Sequence, residues 1–167
     1  MKLKPTVRLA AITLAITLIS GCGGGSDAID STSNPIDSMS GKVIDGYIEG
    51  ATVCLDLNSN QSCDTDEPSA MTAADGSYKL DTTGLSVTAI RAAHLLTLVP
   101  SDAKDADDNG QTLAEAGKKA FALLAPVESY AAVDGSIAGA VISPFTTLVS
   151  HDMLSTSASL EAAKASV

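Results

Sequence analysis

The chain has 167 residues, of which 45% are hydrophobic and only 3% aromatic, and its formal charge is −10. Twenty acidic side chains all lie after Gly21, where only seven Lys and Arg oppose them, leaving about −13. Such a field repels phosphate backbones and anionic membranes, argues against nucleic-acid partners, and attracts divalent cations. With no Trp, the core has to be built from Val, Leu, Ile and Ala, and the length suits one modest domain with appendages.

Residues 1–21 read as a secretion leader. Lys2, Lys4 and Arg8 give the charged start, and residues 9–19 form an apolar run too short to span a bilayer. The run ends in Leu18-Ile19-Ser20-Gly21-Cys22, which resembles a bacterial lipobox, with Cys22 as the lipidated new N-terminus. The alternative is an ordinary signal with a chance Cys. Several acyl chains, palmitate among them, give durable anchoring where one is marginal. By the same resemblance, Gly23 in place of Asp directs the chain to the outer membrane, on the periplasmic or the outer face. Residues 22–40 are Gly-, Ser- and Asp-rich without an apolar period, the pattern of a flexible tether.

Residues 41–80 read as strand, turn, strand, acidic loop, short strand, Asp-Gly turn, strand. Val53, Leu55 and Leu57 alternate with Thr52, Cys54 and Asp56, the period of a half-buried strand. Asp75-Gly76 carries a hairpin signal. Between these lies Asp56-x-Asn58-x-Asn60-x-Ser62-x-Asp64-x-x-Glu67. Oxygen side chains at the first, third, fifth, seventh, ninth and twelfth places of a twelve-residue loop suit Ca2+, which takes about six to eight hard oxygen ligands. Two features depart from the pattern: Gln61 stands where Gly makes the sharp turn, and the leading flank is a strand rather than a helix. The alternative is a solvated acidic hairpin loop. With Cys22 assigned to lipid, Cys54 and Cys63 remain, and an even remainder in an exported chain points to a disulfide closing the base of the loop. Two free thiols are the alternative.

These residues resemble the SdrD B-like, Cna B-type and carboxypeptidase-regulatory-like domains. The likeness is carried by Gly41, Val43, Gly50, Ala51, Val53, Asp56, Asn58, Glu67, Pro68, Ala70, Thr72, Asp75, Gly76 and Tyr78. It implies a mainly β, transthyretin-like antiparallel sandwich, set at residues 41–142, and a spacer or adhesion module that is often calcium-stiffened and is not an enzyme.

Residues 87–99 suit a strand ending at Pro100, or a buried helix, since Ala and Leu are good helix formers. His94 within them stands alone and reads as a packed or surface side chain. Asp105-Ala-Asp107-Asp108-Asn109-Gly110 repeats the front of a calcium loop, but Ala116 takes the twelfth place and the acid falls early, at Glu115. That segment reads as a solvated turn, a second, weak ion site being the alternative. Residues 120–127 and 138–142 are strand candidates.

Ser143-Pro144 opens a helix with an N-cap and Pro at the first position, and Phe145, Leu148, Val149 and Met153 share one face. Ser150, His151 and Asp152 are consecutive, so on a helix they diverge and form no triad. Residues 159–167 begin another helix without a C-cap, so the helical extension, 143–167, reads as cut short.

The sequence thus predicts a lipid-anchored cell-envelope module, structural or adhesive, held by Ca2+ and a disulfide, with the membrane and a protein or carbohydrate as partners. The alternatives are a ligand-binding accessory domain, or the non-catalytic leading part of a larger surface protein or enzyme.

Overall fold

The computed structural model describes residues 34–167. The leader, Cys22 and most of the expected tether lie outside the described residues. Ten strands and three α-helices follow in the order β1 (Ser38–Val43), β2 (Ile48–Glu49), β3 (Thr52–Asp56), β4 (Ser69–Met71), β5 (Ser77–Asp81), α1 (Val87–Ala92), β6 (His94–Val99), β7 (Lys104–Asp105), β8 (Phe121–Pro126), β9 (Ala132–Val133), β10 (Ser136–Ile142), α2 (Pro144–Thr156) and α3 (Leu160–Ser166).

The strands make a β-sandwich-like fold of two four-stranded sheets, β5-β1-β10-β9 and β4-β3-β6-β8, with β2-β7 as a separate ribbon. The core is shared by both sheets: Met39, Val43, Leu80, Ile137 and Ile142 from the first meet Val53, Leu55, Leu95, Val99 and Leu123 from the second. Except on β10, where the alternation is reset between Ile137 and Ile142, these residues sit at every second position of their strands, the period that puts one face of a sheet inside.

Three expectations change. β1 begins at Ser38, inside the stretch expected as tether, and Ile36 is already buried. The first sheet is mixed rather than antiparallel, because β1 pairs with β10 in parallel. The Asp75-Gly76 turn does form, with Gly76 N–H donating to the Ala73 carbonyl at 2.8 Å. It closes no hairpin, however: β4 pairs with β3 and β5 with β1, so the turn carries the chain from one sheet to the other.

The stretch 87–99 satisfies both of its readings in succession. Ser86 caps α1 through its side chain, Ala93 ends the helix, and β6 runs from His94. A helical turn and a strand of similar composition are hard to separate by period over so few residues.

The β1–β10 pairing slips by one residue between Met39 and Gly41, leaving Ala138 and Gly139 exposed together. Gly139 has φ +72°, open to glycine at little cost. The extra residue resets the alternation, so that Ala140 and Ile142 point inward along with Ile137. At the same place a β-carbon on Gly41 would lie 1.7 Å from the Ala140 carbonyl oxygen. A backbone carbonyl in a paired strand cannot step aside.

On α2, Ser143 and Thr146 form a reciprocal capping box. The face turned to the sheet differs from the expected one. Phe145 and Leu148 are 58% and 57% exposed, while Val149 and Ser150 are buried. The cause is the edge of β8. The Leu124 N–H donates to Thr147 Oγ1 at 2.9 Å, and Thr146 Oγ1 donates to the Leu124 carbonyl at 2.7 Å. Hydroxyls thus satisfy an edge strand that has no further strand beside it.

Two substitutions test this packing. Gly41→Ala is expected to lower stability by about 2–3 kcal/mol, as overpacking does, read as a fall in the urea midpoint. Thr97 faces the core with a buried hydroxyl that has no hydrogen-bond partner among the described residues. Thr97→Val removes that unsatisfied group and is expected to raise stability by about 1 kcal/mol in the same assay.

Candidate functional site

The acidic loop leaves the sandwich at Asp56, the last residue of β3, and rejoins it just before β4. Asp56 is 1% exposed. Its carboxylate accepts from the N–H groups of Asn60 (3.1 Å) and Gln61 (2.9 Å), which curls the chain back on itself. Asn58 Oδ1 accepts from the Asn60 N–H at 3.0 Å, and Asn60 Oδ1 from the Ser62 N–H at 2.8 Å. Both amides donate through Nδ2 to Asp64 Oδ2, at 2.9 and 2.8 Å. Glu67, 7% exposed, closes the loop: Oε1 accepts from the Leu57 N–H at 2.8 Å and Oε2 from the Asp64 N–H at 3.2 Å.

Of the six expected ligand residues, Asp56, Asn58, Asn60, Asp64 and Glu67 are therefore bound into one network by their side chains, and Ser62 joins through its backbone. Gln61 takes φ +59°, the left-handed conformation that the sixth place of such a loop needs. Among the described residues, no three His, Cys, Asp or Glu side chains stand together as a metal-holding group.

Cys54 and Cys63 are joined, with Cα atoms 5.6 Å apart. Cys54 belongs to the outer face of the second sheet, where it is buried with Leu96 and Leu124 and packs against Cys63. The bridge thus pins the middle of the loop to that face. Closing a loop of this length is worth roughly 2–3 kcal/mol in the chain-entropy picture.

His94 is the cross-strand partner of Asp56. It is 7% exposed, and neither ring nitrogen has a hydrogen-bond partner among the described residues. Burial pushes its pKa down, against the opposing pull of the Asp56 and Glu128 carboxylates. Of the two readings of His94, packed or at the surface, the structure shows the packed one.

The second acidic segment is a largely exposed turn anchored by one buried carboxylate. Asp105 is 3% exposed and caps a short 3-10 turn, Ala106–Asp108, by accepting from the Asp107 N–H. The Lys118 ammonium bridges Asp105 Oδ2 at 3.0 Å and Asp108 Oδ2 at 2.6 Å. Those two carboxylates hold Lys118 charged well above the usual lysine range. Glu115 accepts instead from the N–H and hydroxyl of Thr112, which lower its pKa. Nothing in the sequence position of Lys118, thirteen places after Asp105, signals this contact. On α2, Ser150 is buried and His151 exposed, so the consecutive Ser, His and Asp do diverge.

Set against family models, curated proteins and solved structures, the chain matches none of them. Its function has to be argued from the geometry above.

A pH dependence follows from His94. The unfolded chain takes up a proton near the ordinary histidine value of about 6.5, whereas the folded chain resists doing so. A depressed folded pKa leaves stability intact above the unfolded value and erodes it as pH falls below. The melting temperature is expected to fall between about pH 7 and pH 5, and the fall to be smaller in His94→Leu. Equal falls in the two proteins would remove His94 from the account.

Proposed function

We propose that this chain is a lipid-anchored module of the bacterial cell envelope, structural or adhesive rather than catalytic, with a transthyretin-like sandwich stiffened by Ca2+ at the acidic loop. The anchor is Cys22 and the destination the outer membrane. The partner it presents itself to is a protein or carbohydrate at the cell surface.

The observation that carries the metal reading is the ring of oxygen-bearing side chains around Asp64, drawn together by the left-handed turn at Gln61 and clipped by the Cys54–Cys63 bridge. Asn58 and Asn60 already aim their amides at Asp64. A half-turn of each amide exchanges Nδ2 for Oδ1 and presents hard oxygen in place of a donor. Asp56, Asn58, Asn60, Ser62, Asp64 and Glu67 would hold the ion, which would neutralise charge and cross-link both ends of the loop. Two Asn in place of Asp lower the ligand charge and suit the weak range of extracellular modules, about 10−4–10−3 M.

Calcium titration of the full chain, followed by thermal or urea unfolding, tests this. Calcium at about a hundred times its Kd is expected to stabilise by about 2.7 kcal/mol. The gain is expected to vanish in Glu67→Gln and to shrink when Cys54 and Cys63 are both changed to Ser. An unfolding transition indifferent to calcium and to chelator would sink the metal reading. The intact mass of the membrane-extracted protein checks acylation of Cys22 separately.

A further inference from the structure

We propose that Asn109 is a site of spontaneous covalent modification: its side-chain amide cyclises onto the Gly110 backbone nitrogen, and water opens the ring to aspartate or isoaspartate. The chain has four asparagines, at 34, 58, 60 and 109. Asparagine is among the thermolabile residues, but its reaction needs a free amide, a backbone nitrogen able to attack, and no obstruction between them.

Three of the four fail on one of these. Asn34 precedes Pro35, which has no N–H to lose. Asn58 is held at both ends of its amide, accepting from the Asn60 N–H and donating to Asp64. Asn60 is held in the same way by Ser62 and Asp64, and the nitrogen that would attack it, on Gln61, donates to Asp56. Among the described residues, Asn109 is free of both hydrogen bonds and crowding, and from φ 56°, ψ 29° its ring closure needs a rotation about the Cα–C bond within an exposed turn. It is exposed at the end of the 3-10 turn. Among the described residues, neither its side-chain amide nor the Gly110 N–H takes a hydrogen-bond partner. Gly110 brings no side chain, and beyond its two chain neighbours nothing lies within 4 Å of where a β-carbon would stand.

The balance is simple. The Gly110 nitrogen bonds to the Asn109 side-chain carbonyl carbon and loses its proton, and ammonia leaves, giving a cyclic imide. Water then adds to either imide carbonyl and breaks one C–N bond, so the net change is water consumed and ammonia released. Nothing is oxidised or reduced.

The product matters because of its place. A new carboxylate appears one residue from Asp108, beside the Asp105–Lys118–Asp108 cluster. The isoaspartyl product also inserts a carbon into the main chain inside the turn closed by Gln111 N–H to the Asp108 carbonyl at 3.1 Å. The turn loosens and, with it, the seat of the Lys118 ammonium.

The test is to hold the full folded chain at mildly alkaline pH and follow each asparagine by peptide mass spectrometry, with isoaspartyl methyltransferase labelling as a second readout. A free peptide covering residues 105–113 serves as the clock. The expected result is conversion at Asn109, with the mass gain of replacing an amide NH2 by OH, while Asn58 and Asn60 stay amides. In converted molecules, amide exchange at Asp105 and Gln111 is expected to quicken. In Asn109→Gln, the methyltransferase label on the peptide that carries residue 109 is expected to be lost. Asn109 remaining intact in the protein after the free peptide has converted would overturn the proposal, as would Asn58 or Asn60 converting first.

Discussion

The parallel pairing of β1 with β10 closes this molecule. It joins strands about a hundred residues apart, and the whole second sheet is made by the chain between them. Such a contact gives no return until the loop entropy of the whole intervening chain has been overcome. It also tolerates little variation, since Gly41 and the Ala140 carbonyl approach too closely for any β-carbon. The Tyr78 hydroxyl reaches across from β5 to the same carbonyl at 3.2 Å. One backbone oxygen is thus the meeting point of three neighbouring strands, and the core on both sides is aligned through it.

With so few aromatic residues, the sandwich gains limited apolar area per residue, and polar side chains finish its boundaries. Thr146 and Thr147 occupy the open edge of β8 in place of another strand. Thr82 donates to the Ile36 carbonyl at 2.6 Å and ties the entry of β1 to the end of β5. The Ala51 N–H is satisfied by Thr72 Oγ1 inside the protein. In each case a short β-branched hydroxyl replaces a missing ladder partner, which costs little rotamer freedom and keeps buried backbone groups bonded.

Much of this was legible in the chain, and the misreadings have definite causes. Strand period is a local property, so Val53 and Leu55 and the Ser143-Pro144 helix start could be read directly. The Cys54–Cys63 bridge followed from counting. Sheet membership is not local: the residues of an Asp-Gly turn are the same whether the flanking strands pair with each other or with separate neighbours. On α2, apolar period pointed to Phe145 and Leu148, but the surface it packs on presents backbone polar groups, and hydroxyls outcompeted hydrocarbon for that place. The buried Asp105 was misread because its partner, Lys118, is brought to it by the fold alone.

The two acidic loops show how the same chain solves one electrostatic problem twice. In the loop at 105–110, a buried carboxylate is paired with an ammonium from the chain itself. In the loop at 56–67, Asp56 and Glu67 are buried as deeply, but among the described residues no Lys or Arg pairs with them or with Asp64. Backbone and amide N–H groups supply all the compensation, as dipoles rather than charge. Dipoles satisfy lone pairs without adding an opposite charge, and burial lowers the pKa of His94, the cross-strand partner of Asp56. The two loops thus differ in what meets their buried carboxylates, an ammonium in one and N–H dipoles in the other.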